Sequence, residues 1–170
     1  FGFCLSNKGF LELIYAIDLL RKSGFNVYLN MYISIHHQSD ISLYTLREIE
    51  KLVLKLNLTE VIFIYSEFLE QSKILDYLSN CDAIIFPYQT SNESSSAAVR
   101  IGIASGSIVF VTPLSVFDDV SSCVQSFNEK TIASIASGLT KWILKGDEKS
   151  YYIALEKKKT WVYQHQFYKL

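Results

Sequence analysis

The sequence predicts an α/β fold built on a doubly wound parallel sheet of about six strands, and three observations carry that prediction. Short β-branched or aromatic runs alternate with longer segments whose apolar residues recur at helical spacing, the mark of successive βα units. Glycine and proline punctuate the alternation where strands and helices should stop. The chain has 170 residues, of which 49% are hydrophobic and 19% charged, enough for one domain with a sizeable core and too apolar for disorder.

The elements follow in order. Phe1 to Leu5 reads as a strand. From Gly9 onward, Phe10, Leu13, Ile14, Ile17 and Leu20 make one helical face, closed by Lys22, Ser23 and Gly24. Asn26 to Ser34 is the second strand, and a helix from about Ile41 buries Leu46, Ile49, Val53 and Leu56. Val61 to Tyr65 is the third strand, and a short helix around Ser72 to Ser79 leads into the fourth, Asp82 to Phe86. The turn Pro87 to Asn92 opens a helix expected from Glu93 to about Ser105 and ended by Gly106. Ser107 to Thr112 is a fifth strand stopped by Pro113, and Val124 to Phe127 a short sixth. A helix carrying Ile132, Ile135, Ala136, Leu139 and Ile143 follows, then a polar helix from about Asp147. No internal repeat or linker divides the chain, so 1–170 is expected to be one domain. It begins on Phe1 and its single methionine is Met31, from which the natural protein is expected to start upstream.

Charge and cysteines exclude several classes. The formal net charge is -1 and the basic run Lys157, Lys158, Lys159 is short, so nothing electrostatic marks a nucleic-acid partner. Cys4, Cys81 and Cys123 are odd in number and lack CxxC spacing, which argues for reduced thiols in a cytosolic protein rather than disulfides or a zinc site. His36 and His37 stand in a loop with no carboxylate at ligand spacing, and no metal site is expected.

In a doubly wound sheet, ligands gather at the carboxyl ends of the strands near the switch in strand order, and two loops there suit a phosphorylated ligand. Ser6-Asn7-Lys8-Gly9 offers a compact ammonium beside a glycine that lets a ligand approach backbone amides; the same pair also serves plain capping. Pro87 to Ser96 offers Ser91 or Asn92 as cap, the amides of Ser94, Ser95 and Ser96, and Glu93, a carboxylate suited to sugar hydroxyls; its bland alternative is an N-cap with an acidic first turn. Phe117-Asp118-Asp119 reads as a solvated turn. A receiver-like or flavodoxin-like domain would need acidic residues at the end of the first strand, where Ser6 and Asn7 stand.

The run Gly2 to Gly9, the strand end Asp82-Ala-Ile-Ile-Phe-Pro-Tyr, Glu93-Ser-Ser-Ser, and Ala104-Ser-Gly106 followed by Ile108-Val-Phe-Val-Thr112 resemble the C-terminal, nucleotide-sugar-binding domain of family 4 glycosyltransferases. The resemblance implies a Rossmann-like half of a GT-B architecture. It implies Lys8 and Gly9 at the donor diphosphate, Glu93 orienting the donor hexose, and the backbone of Ser94, Ser95 and Ser96 near the phosphates. Tyr65, Ser66 and Glu67, at the third strand's end, would lie near the nucleotide base. The segment around Trp161, Tyr163 and Tyr168 resembles the family's crossover toward an N-terminal domain, from about residue 160.

The chain departs from the family pattern at Phe3, where an arginine is usual, at Ile101, where a second glutamate is usual, and at Ser34-Ile35-His36-His37, where a glycine-rich turn is common. Arg100 is the candidate to compensate. By this resemblance the whole protein would be a retaining, metal-independent hexosyltransferase without a cofactor, acting from a nucleotide sugar on a glycan or lipid-linked acceptor held by the N-terminal domain. It would work in surface polysaccharide assembly on the cytoplasmic side of a bacterial membrane, with peripheral membrane association. A GT-B-derived binding or scaffolding module that does not catalyse is the alternative, motivated by Phe3 and Ile101.

Overall fold

Where a helix separates two strands, the chain returns to the end it left, so neighbouring strands run parallel. All four strand pairings in the computed structural model, which describes residues 1–35 and 40–145, are of this kind. The strands are β1 (Gly2–Phe3), β2 (Leu29–Ser34), β3 (Ile62–Tyr65), β4 (Ala83–Phe86), β5 (Ile108–Val111) and β6 (Gln125–Ser126). The helices are α1 (Phe10–Lys22), α2 (Asp40–Lys55), α3 (Gln71–Ser79), α4 (Ala97–Ser105) and α5 (Ile132–Lys145). The expected histidine loop at 36 and 37, the helix from Asp147, the lysine run and the crossover around Trp161, Tyr163 and Tyr168 lie outside the described residues.

The fold is the expected Rossmann-like α/β class, with its strands grouped as two hydrogen-bonded triplets, β1-β2-β3 and β4-β5-β6. β1 is shorter than the sequence suggested: Cys4 N–H still donates to the Ser34 carbonyl, but Leu5 N–H turns back to the Phe3 carbonyl, and the chain tightens into a 3-10 turn at Ser6–Lys8. What joins the triplets is packing. One apolar core, fed by α1, α2 and α5, takes Met31 and Ile33 of β2, Ile62 of β3 and Ile108 and Phe110 of β5. The other, beneath α3 and α4, takes Ile84 and Phe86 of β4 and Val109 and Val111 of β5. Strand side chains alternate faces, so β5 is buried along its whole length by serving both cores.

The face expected for α1 is buried at Phe10, Leu13, Ile14, Ile17 and Leu20. Ser115–Cys123 is a 3-10 segment whose Val116, Phe117 and Val120 enter the second core. The turn expected at 117–119 is therefore half core: Phe117 is buried, and Asp118 and Asp119 face outward.

Candidate functional site

The loops leaving β1 and β4 interlock. Gly9, at φ 75°, sits in the left-handed region, and a Cβ there would stand 1.8 Å from the Pro87 carbonyl oxygen, so only glycine fits. That close approach lets the Gln89 N–H donate to the Asn7 carbonyl at 2.8 Å, and Asn7 Nδ2 donate to the Thr90 carbonyl at 3.0 Å. Lys130 Nζ donates to the Gln89 carbonyl while Gln89 Nε2 donates back to the Lys130 carbonyl, tying the second loop to the approach to α5. The loops after β1 and β4 thus meet between two triplets whose orders run β1 to β3 and β4 to β6, the position of the switch point at which doubly wound sheets bind ligands.

Lys8 points into this seam. Its Nζ donates to Glu93 Oε1 and Oε2 at 3.2 and 3.4 Å and lies 3.9 Å from the centroid of the Tyr88 ring. The lysine side chain is 7% exposed and the glutamate side chain 51%, so the cation is held inside and its partner forms the solvent side of the pair. A buried ammonium must be paired or solvated, and Glu93 meets that need.

Tyr88, which sequence reasoning passed over, is the floor of the site. It is buried, its hydroxyl lies 3.1 Å from Ser96 Oγ, and its carbonyl accepts from Thr112 Oγ1 at 2.5 Å. Its one signal in the sequence was an aromatic two positions after a strand end, which reads equally well as core.

The second loop corrects an expectation. α4 starts at Ala97, not Glu93, and its N-cap is Ser96, whose Oγ accepts from the Val99 N–H at 3.4 Å. Ser91 and Asn92 do not cap it; Ser91 Oγ accepts instead from the Glu93 N–H at 3.2 Å. Serine hydroxyls compete with the helix for backbone partners, so the run Ser94 to Ser96 stays outside and the helix begins at the alanine pair. The positive end of the helix dipole therefore lies at Ser96 and Ala97, with Ser94 and Ser95 in the loop that leads to it.

Arg100 does not stand free to compensate at Phe3 or Ile101. Its guanidinium bonds Asp119, and its Nη1 donates to the Ser96 carbonyl at 3.2 Å. Ile101 packs half-buried against the second core, whereas Phe3 is exposed at the end of β1. Tyr65 closes β3 with Ser66 and Glu67 after it, two strands from β1. The Tyr65 ring stacks on Tyr32 at 4.9 Å, and Tyr32 on Tyr77 at 5.3 Å. Burial, with Cys81, Tyr65 and Tyr77 close by, pushes the Tyr32 phenol above its usual range. Among the described residues no group of three or more His, Cys, Asp or Glu could hold a metal ion.

No protein-family model and no curated protein matches this sequence, but solved structures do. The C-terminal domain of LpcC, a glycosyl transferase group 1 family protein of Francisella tularensis, superposes with a TM-score of 0.76 at 18% identity, covering 98% of this chain and 83% of that one. A glycosyltransferase of Rickettsia africae gives 0.79 at 16% identity, covering 96% of this chain and 42% of that one. A UDP-forming trehalose-phosphate synthase of Burkholderia xenovorans gives 0.76 at 9% identity, covering 93% and 37%. The chain has the fold of the C-terminal domain of GT-B glycosyltransferases. It spans about two fifths of the length of the two larger neighbours.

Proposed function

We propose that this chain is the donor-binding half of a two-domain retaining glycosyltransferase, and that it holds the diphosphate of a nucleotide sugar at Lys8. The observation that carries the reading is the meeting of Lys8 with Glu93 across the seam, which brings the ammonium of one loop and the approach to α4 of the other to one place. Lys8, with Gly9 and the backbone of Ser94 to Ser96, would stabilise the leaving diphosphate through fixed charge and amide dipoles rather than a metal. Glu93, released from Lys8 by the incoming phosphates, would accept hydrogen bonds from the sugar hydroxyls. Tyr65, Ser66 and Glu67 would flank the base.

Support comes from the fold shared with glycosyltransferases, one of them UDP-forming by its own description. Hexose transfer with retention, a glycan or lipid-linked acceptor bound by an N-terminal domain, and a role in surface polysaccharide assembly at the cytoplasmic side of a membrane follow from the family resemblance. No cofactor is required on this reading, and this chain by itself turns over no donor.

Titration calorimetry of the chain with UDP, GDP and their sugars tests the proposal. Binding that disappears in Lys8→Ala is the expected result. Silence with every nucleotide at millimolar concentration, or binding indifferent to Lys8→Ala, would end it and favour the non-catalytic binding module. That second reading rests on Phe3 and Ile101 and on the commitment of Arg100 to Asp119.

A further inference from the structure

We infer that Tyr88 is the positioning residue of the Lys8 site, its ring aiming the ammonium and its hydroxyl tying that ring to the N-cap of α4. The inference rests on the donor-site reading and deepens it. Lysine carries its charge on a flexible four-carbon stem, so something must aim it. Glu93 is poorly suited to that role, because it is half exposed, it sits on a loop, and an arriving diphosphate competes with it for the same ammonium. The Tyr88 ring has none of these weaknesses. Its centroid is 3.9 Å from Nζ, within the range where the ring quadrupole attracts a cation most when water is excluded. An anion entering from the Glu93 side leaves that face undisturbed.

The ring itself cannot drift. Phe86 meets it edge-on at 6.2 Å and Phe117 lies tilted at 5.1 Å, while its backbone carbonyl is held by Thr112. Its hydroxyl reaches Ser96 Oγ, the same atom that accepts the Val99 amide at the start of α4. One residue therefore connects the cation of the first loop with the dipole of the second, and the two halves of the anion site keep a constant separation. Any buried tyrosine needs a partner for its hydroxyl, but one that merely filled the core would not need the ammonium above its face.

The test uses the chain with Tyr88→Phe, Tyr88→Leu, and phenylalanines of increasing fluorination at position 88, which keep the shape of the ring and drain its negative face. Two readouts apply: calorimetry with inorganic pyrophosphate and with UDP, and the proton NMR shift of the Lys8 ε-methylene. In the unaltered protein that methylene resonates upfield of free lysine, shielded by the ring. Tyr88→Phe retains the shielding but loses the tie to Ser96 and weakens pyrophosphate binding about three-fold; relative to it, fluorination weakens binding stepwise, by about ten-fold when complete, and Tyr88→Leu weakens it by at least as much. The fluorinated series also covers the case in which Tyr88→Leu fails to fold. Flat affinity across the series while Lys8→Ala still abolishes binding, or a Lys8 methylene at the free-lysine position in the unaltered protein, overturns the role of Tyr88 alone. Binding indifferent to Lys8→Ala overturns the donor-site reading and this inference with it.

Discussion

The seam beside β4 and the groove beside β6 flank the same strand triplet, yet they are built on different principles. The groove has a volume of about 520 Å³ and runs between β6 and α5, floored by Phe110, Phe127 and Trp142, with Glu129, Lys141 and Lys145 among its lining. Those three charges are exposed, where water and salt screen them. The seam holds a lysine that is almost wholly buried, paired to one carboxylate and set over an aromatic face. Space alone marks the groove; the seam is marked by a charge whose burial is stabilised only by what surrounds it. Recognition of an anion depends on the second kind of construction, because electrostatic attraction strengthens as water is excluded.

The contrast is most severely tested at Gly9. Gly9→Ala should lower stability by several kcal/mol or prevent folding, since it drives a Cβ into the Pro87 carbonyl at a positive φ. Lys141→Ala in the groove should change stability by no more than about 0.5 kcal/mol in the same urea titration. Next comes charge. Lys8→Ala should abolish detectable UDP or pyrophosphate binding, a loss of no less than about ten-fold, the worth of a charge-assisted contact. Lys141→Ala and Lys145→Ala should leave that binding unchanged in calorimetry, and the reverse pattern would move the site to the groove.

A third test concerns the core under the seam. Burial, and then the nearby Glu50, push the Cys4 thiol from 9.0 up to about 11. Raising the pH deprotonates the unfolded chain first. The stability that Cys4 contributes is therefore complete below pH 9 and is lost as pH rises through about 11, with a ceiling of about 3 kcal/mol. Urea titrations from pH 8 to pH 11 should show that fall, shallower in Cys4→Ala; Tyr32 and Cys81 shift in the same direction and leave a residual slope. The smallest effect is expected at the cap of α4. Ser96→Ala should cost about 1 kcal/mol in thermal unfolding, whereas Ser91→Ala, which removes no helix cap, should cost less.

The parts of the fold that could be read in advance are those governed by spacing along the chain. α1 shows this best: five apolar residues at helical intervals indicated a buried face, and all five are buried. The succession of strands was equally plain, although β1 and β6 came out only two residues long, each extended by one further bond, Cys4 N–H to the Ser34 carbonyl and Phe127 N–H to the Val111 carbonyl. Lys8 and Glu93 could be singled out as charges at strand ends. That they touch was beyond any local signal, since 85 positions separate them. The misplaced start of α4 has a different cause: Ser91, Asn92 and Ser96 are all good caps, the serine run holds the helix back, and Ser96 alone of the three also meets Tyr88 Oη.

Periodicity, turn residues and composition thus determined the class of fold, the order of its elements and the places of the loops after β1 and β4, because each is a property of neighbours within a few positions. Tertiary structure alone decided that Lys8 lies over Tyr88, that Ser96 caps α4, that Asp119 takes Arg100, and that the strands bond in two triplets joined through their cores. Those outcomes depend on which distant surfaces meet, and the free energy of such meetings comes from burial and pairing in three dimensions rather than from the conformational preferences of any short segment.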